Sequence, residues 1–216
     1  MLKVENISCG YGKKQVLYNV SVTVNTGEIA LISGGNGSGK STLLKCIYNI
    51  IPTWNGAVFL DDEYITGCNP SDLIRKGLIY IPQKDFCFEN LTVDENLRIA
   101  GNIYKETFLN NRIQEVYETT GLQKLKKNKP FHLSGGEKKL LAFGMGLLHQ
   151  PKIVLFDEPF AGVDSKTVEY LIDLFLIRLK KIKCTTLIVE HSSTIDNFFT
   201  TIIQLELGCL KNIKHI

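Results

Sequence analysis

Gly34-Gly35-Asn36-Gly37-Ser38-Gly39-Lys40-Ser41 is the stretch on which the reading of this chain turns. A glycine, four residues, then glycine, lysine and serine is a spacing that wraps nucleotide phosphates when a strand leads in and a helix leads out. Ile29-Ala30-Leu31-Ile32 has the apolar character of that strand, and Thr42-Leu43-Leu44-Lys45-Cys46-Ile47 has the pattern of that helix. The glycines let the backbone curl so that successive N–H groups face the α- and β-phosphates. The helix start adds unpaired donors and the positive end of its dipole. Lys40 has the reach for the β- and γ-phosphates, and the Ser41 hydroxyl suits a Mg²⁺ that keeps most of its waters. A bare glycine-rich turn would leave Lys40 and Ser41 in register for no reason, so the pattern predicts a nucleoside triphosphate site.

A chain of 216 residues suffices for one α/β domain carrying a subdomain, and 44% hydrophobic residues can bury a substantial core. The net charge of +3 is too mild to argue for nucleic acid. The six cysteines (Cys9, Cys46, Cys68, Cys87, Cys184 and Cys209) lack a C-x-x-C pair or metal-ligand spacing, which points to free thiols in a reducing cytoplasm. No apolar stretch reaches spanning length and the N-terminus has no signal-peptide layout, so a membrane role would come through a partner subunit.

Outward from the glycine loop, residues 2–7 and 16–24 read as strands, the second alternating as an antiparallel strand with one covered face does. Cys9-Gly10-Tyr11-Gly12 reads as the turn between them. Ala57-Val58-Phe59-Leu60 belongs to a short strand pair, and Leu78-Ile79-Tyr80-Ile81 is a strand that Pro82 ends. Residues 94–123 turn polar and helical, and residues 140–148 continue a helix in which Gly144 and Gly146 each cost about 1 kcal/mol against alanine. Close packing is one reason for glycine there. The expected architecture is α/β, with a mainly parallel sheet, an N-terminal antiparallel β subdomain and a helical subdomain inserted at about residues 84–150 of a single domain, 1–216.

Ile153-Val154-Leu155-Phe156 reads as a parallel strand buried on both faces. Asp157-Glu158 stands at its carboxyl end, where parallel sheets bind ligands. Asp157 is suited to hold the hydration shell of Mg²⁺, and Glu158 to polarise an attacking water. Leu133-Ser134-Gly135-Gly136-Glu137 opens another helix with an anion-binding end. One nucleotide does not need two such ends from one domain, so this second end is expected to meet the γ-phosphate of a nucleotide held by another subunit. Ser134 and Glu137 also fit a capping box, and the two readings are compatible.

Taken in order, GGNGSGKST (34–42), YIPQ ending at Gln83, LSGGE (133–137), IVLFDEP (153–159), AGVD (161–164) and VEH ending at His191 resemble the ATP-binding cassette subunits of membrane transporters over essentially the whole chain. One glycine loop recurs in many folds; six elements in this order are specific. The resemblance implies that Tyr11 stacks on adenine with Val16 packed nearby. It implies that Gly35, Asn36, Gly37, Ser38, Gly39, Lys40, Ser41 and Thr42 hold the phosphates. Gln83 would contact Mg²⁺ or the water, alongside Ser41 and Asp157. Ser134, Gly135 and Gly136 would clamp the opposing copy's ATP, Asp164 would link the two sites, and His191 would hold the γ-phosphate and orient water against Glu158.

The sequence departs from that pattern at Lys138-Lys139, where Gln-Gln or Gln-Arg is frequent, at Met145, where an arginine is common, and at Gly35, where proline is frequent. None of these removes a phosphate, metal or water ligand. The segment after Gln83 and the stretch Leu141-Ala142-Phe143-Gly144 are similar to branched-chain amino acid importers, while DEPFAGVD is similar to the lipopolysaccharide-export cassette. A homo- or heterodimer on the cytoplasmic face of the membrane is implied, with permease subunits met by residues 83–90, among which Phe86 and Phe88 are candidate contacts. A soluble cassette ATPase acting on nucleic acid or ribosomes is the alternative. The modest interval from Gln83 to Leu133 and the single motif set weigh against it. The Glu158–His191 pair weighs against a regulatory module without turnover.

Overall fold

The computed structural model describes residues 1–84, 87–190 and 198–216. In it, β1 (Leu2–Tyr11) and β2 (Lys14–Val24) form an antiparallel hairpin, joined by β4 (Thr53–Leu60) and β5 (Glu63–Tyr64) in the order β2-β1-β4-β5. A six-stranded sheet runs β10-β9-β3-β8-β7-β6, built from β3 (Ile29–Ser33), β6 (Leu78–Ile81), β7 (Ile153–Asp157), β8 (Thr185–Val189), β9 (Thr201–Glu206) and β10 (Cys209–His215). Its neighbours pair in parallel apart from the β9–β10 hairpin at the edge.

The pleat explains why these strands read as unbroken apolar runs. In β7, Ile153 and Leu155 enter a core shared with β1, β2, β4, α1 (Lys40–Ile47) and α2 (Pro70–Lys76). Val154 and Phe156 enter the opposite core, with α3 (Val93–Ala100), α4 (Glu106–Thr120), α5 (Gly135–Leu147) and α6 (Ser165–Lys181). Ala30 and Ile32 of β3 divide from Ile29 and Leu31 in the same way. Alternate residues face opposite sides of a strand, so a sheet covered on both faces needs apolar side chains at every position. Phe175 of α6 ties the second core together, with ring centroids 4.0 Å from Phe143 of α5 and 5.9 Å from Phe156 of β7.

The polar helical stretch is broken at residues 101–105 into α3 and α4, and Thr92 starts α3 with a capping box to Glu95. Helix α5 opens at Gly135 behind the expected Ser134–Glu137 capping box. Gly144 and Gly146 are there for close approach. A Cβ on Gly144 would sit 2.7 Å from Val116 Cγ1 of α4, and one on Gly146 would sit 3.0 Å from Ile81 Cδ1 of β6. The turn placed at residues 9–12 is corrected. Cys9 and Gly10 still pair with Leu17 and Gln15, so β1 runs to Tyr11 and the chain reverses at Gly12-Lys13.

Candidate functional site

Four chemically distinctive segments lie at the carboxyl edge of the parallel sheet. The glycine loop follows β3, Gln83 follows β6, Asp157-Glu158 closes β7, and Glu190 follows β8. Because β8 lies between β3 and β7, the loop and the acids straddle one crevice, the position where such sheets bind ligands.

The loop takes its shape from positive-φ glycines: Gly34 at 146°, Gly37 at 78° and Gly39 at 99°. Gly39 also admits Leu17, whose Cδ2 would lie 2.5 Å from an added Cβ; Val16 Cγ1 would lie 3.6 Å from it. The loop is therefore seated on β2, close to Val16. Lys40 is buried and donates to the carbonyls of Gly34 (2.9 Å) and Gly35 (3.1 Å). Burial lowers its pKa, and the charges of Glu158 and Asp157 pull the other way. The β9–β10 turn supports the loop from behind, with Gly208 N–H donating to Ser38 O at 3.1 Å. Ser38 Oγ is buried and has no hydrogen-bond partner among the described residues.

The acids are held by short polar links. Ser41 Oγ donates to Asp157 Oδ1 at 2.6 Å, and Tyr80 OH donates to Asp157 Oδ2 at 3.0 Å. Asp157 is itself buried. Gln83 Nε2 donates to Glu158 Oε2. Glu158 sits at φ 49°, a left-handed conformation that non-glycine residues adopt seldom and that clusters at functional sites. The hydroxyl of Ser41 and the carboxylate of Asp157 are hard oxygen donors side by side, a set that suits Mg²⁺.

Ser134 caps α5, accepting from Glu137 N–H (3.3 Å) while its own N–H donates to Glu137 Oε2 (2.7 Å). Ser134 and Gly135 are exposed, and Gly136 is buried against Thr167 of α6. Asp164 caps α6, accepting from Thr167 N–H (3.1 Å) and Thr167 Oγ1 (2.6 Å), bonds that lower its pKa. Tyr11 ends β1, half exposed, beside the hairpin turn. His191 and Phe86 lie outside the described residues. Thus the structure brings Lys40, Ser41, Gln83, Asp157 and Glu158 together, and sets Ser134, Gly135, Gly136 and Asp164 in a separate cluster where α5 meets α6.

In the sequence, Tyr80 reads only as part of an apolar strand and of YIPQ, and Lys139 only as part of a departure from the family pattern, and neither is assigned a place in the site. A cavity of about 400 Å³, lined by Arg112, Pro151, Ile153, Arg178 and Thr185 among others, opens at the opposite, amino ends of β7 and β8 and takes no part in this site.

A family model described as ABC transporter matches residues 17–161. The probable branched-chain amino acid transport ATP-binding protein LivF of Archaeoglobus fulgidus is 35% identical over 193 residues, 89% of this chain and 82% of that one. The lipopolysaccharide export system ATP-binding protein LptB of Escherichia coli K12 is 34% identical over 170 residues, 77% of this chain and 70% of that one. Among solved structures, a nucleotide-free ATP-binding cassette from an ABC transporter superposes with a TM-score of 0.91 at 29% identity, over 100% of this chain and 91% of that one. A dimeric ATP-binding cassette in a post-hydrolysis state with ADP and Pi gives 0.87 at 26% identity, over 100% and 98%. Similarity on that scale runs through most of each relative's own length, and the chain belongs to the family of ABC transporter ATP-binding subunits, which are ATPases.

Proposed function

We propose that the chain is the motor subunit of a multi-subunit membrane transporter, and that two such cassettes close head-to-tail on two ATP molecules. One observation carries the hydrolytic half of this reading: Ser41, Tyr80 and Asp157 form one linked set, and Gln83 holds Glu158 beside it. In this account the backbone of residues 35–42 and the Lys40 ammonium bind the phosphates, with Tyr11 and Val16 on the adenine side. Ser41, Asp157 and Gln83 hold Mg²⁺, which supplies charge neutralisation for the phosphates. Glu158 orients and activates water, assisted by Gln83 and His191. Gly135 and Gly136 present backbone N–H groups, and Ser134 its hydroxyl, at the start of α5 to the partner's γ-phosphate, and Asp164 lies beside that turn at the seam.

Transport fits the names of both relatives, and the permease is expected to dock on residues 83–90. Phe88 is exposed there on an ordered backbone, its N–H donating to the buried Asn96 Oδ1 at 2.7 Å. Among the described residues no helix is long and apolar enough to cross a membrane, so attachment to the cytoplasmic face would come through that permease. A non-transport cassette acting on nucleic acid or ribosomes is not favoured: both relatives above are transport subunits, and a net charge of +3 gives no basic footprint.

The test is Glu158→Gln. Phosphate release should fall about 10²- to 10⁴-fold, the range for losing a positioned base. ATP should still bind, and light scattering should show a dimer that persists in ATP. Turnover at the parent rate would remove Glu158 from its assigned role.

A further inference from the structure

Lys139 is buried at 7% exposure, one residue along α5 from Lys138, which forms an exposed ion pair with Glu89 at 2.9 Å. The two lysines therefore do different things. Lys138 ties the helix to the loop beyond Gln83 in solvent, where such a pair contributes little. Lys139 points into the site. Its Nζ donates to the backbone carbonyl of Gln83 at 3.2 Å and to that of Glu158 at 3.4 Å. Burial lowers its pKa, while Glu190, Glu158 and Asp157 raise it. A charge is costly to bury unless paired and hydrogen-bonded, and a whole buried ion pair is often replaceable by apolar side chains with no loss of stability. Stability alone is a weak reason for it to be here.

Three segments far apart in sequence meet at this ammonium: the signature helix α5, the Gln83 loop and the end of β7. Gln83 and Glu158 are also joined side chain to side chain, so the ammonium and the Gln83 amide make two points of attachment between the same two segments. Lys139 stands five residues after Ser134 on one rigid helix, a rise of about 7–8 Å. A shift of α5 when a partner's nucleotide engages Ser134 would reach both carbonyls through this side chain.

We propose that Lys139 is a positioning residue for hydrolysis: from the signature helix it fixes Gln83 and Glu158 of its own chain in their working relation. This rests on the reading of Gln83 and Glu158 given under Proposed function.

Lys139→Met, Lys139→Arg, Gln83→Ala and the Gln83→Ala/Lys139→Met double variant test it, in steady-state ATPase assays with ATP affinity and melting temperature alongside. Lys139→Met should lower kcat about 10- to 100-fold, the scale of a small misplacement of reacting groups, with ATP affinity within experimental scatter. Lys139→Arg should recover most of that loss. In the Gln83→Ala background, Lys139→Met should cost little more, since coupled residues are non-additive. The proposal is overturned by parent-like kcat in Lys139→Met, by kcat, affinity and melting temperature falling together without rescue by arginine, or by losses that multiply in the double variant. An inactive parent chain would instead sink the hydrolytic reading, and this proposal with it.

Discussion

Gly136→Ala is predicted to destabilise the chain even though alanine is the better helix former. An added Cβ would lie 2.5 Å from Thr167 Cγ2, where carbon atoms in contact prefer about 3.5–4.0 Å. Thr167 must retreat by an ångström or more. It cannot rotate freely, because its Oγ1 donates to Asp164 Oδ2 at 2.6 Å and its N–H donates to the same carboxylate, capping α6. Overpacking costs about 1–3 kcal/mol, and a weakened cap adds about 1 kcal/mol. The helical gain from replacing glycine offsets up to about 1 kcal/mol. The net loss is about 1–4 kcal/mol, and at about 2–4 °C per kcal/mol for a chain of this size the melting temperature should drop by about 2–16 °C. Gly136→Ala/Thr167→Ser, which removes the clashing methyl and keeps the capping hydroxyl, should recover most of it. The assay is thermal unfolding of parent, single and double variants. Gly136→Ala melting at or above the parent, or no recovery in the double variant, would refute the argument that Gly136 is held by contact with the Asp164 cap.

Tyr80→Phe should lower stability by about 1–3 kcal/mol, since a hydrogen bond to a charged, buried carboxylate is lost, and should raise the Mg²⁺ concentration needed for half-maximal hydrolysis; a metal titration unchanged from the parent would deny it any support of Asp157. His149 is pushed by burial, and secondarily by Arg112, from 6.5 down to about 4. Its folded pKa lies below the unfolded one, so the folded chain binds fewer protons between those values, and the stability from keeping it neutral is complete above about pH 6.5 and lost as pH falls towards 4. Denaturant unfolding from pH 7 to 4 should show that loss, and His149→Gln should flatten it.

How much the sequence disclosed depended on whether an interaction is local. The glycine loop, the strand before it and the β7 acids are contiguous patterns whose chemistry needs neighbours in the chain, and they appear in the structure with Lys40, Ser41 and Asp157 in one crevice. The double-faced sheet was legible because burial on both sides leaves an unbroken apolar run in Ile153-Val154-Leu155-Phe156. Gly144 was legible as an anomaly, but its cause, contact with Val116 on another helix, is tertiary. Lys139 and Tyr80 are opaque for the same reason: Tyr80 acts on Asp157, 77 positions away, and Lys139 on Gln83, 56 positions away, as well as on Glu158. The end of β1 was misplaced because Gly10, which sequence reads as a turn, pairs within the hairpin where a Cβ would meet Lys14 O at 2.0 Å.

The composite site between two copies is tested most directly by mixing two inactive variants, Lys40→Met, which disables the phosphate loop, and Ser134→Arg, which disables the signature turn. In a head-to-tail dimer, one of the two sites in each mixed pair combines an intact loop with an intact turn. An equimolar mixture should then recover about a quarter of parental phosphate release, since half the dimers are mixed and each has one sound site of two. A mixture no more active than either variant alone would contradict the shared site.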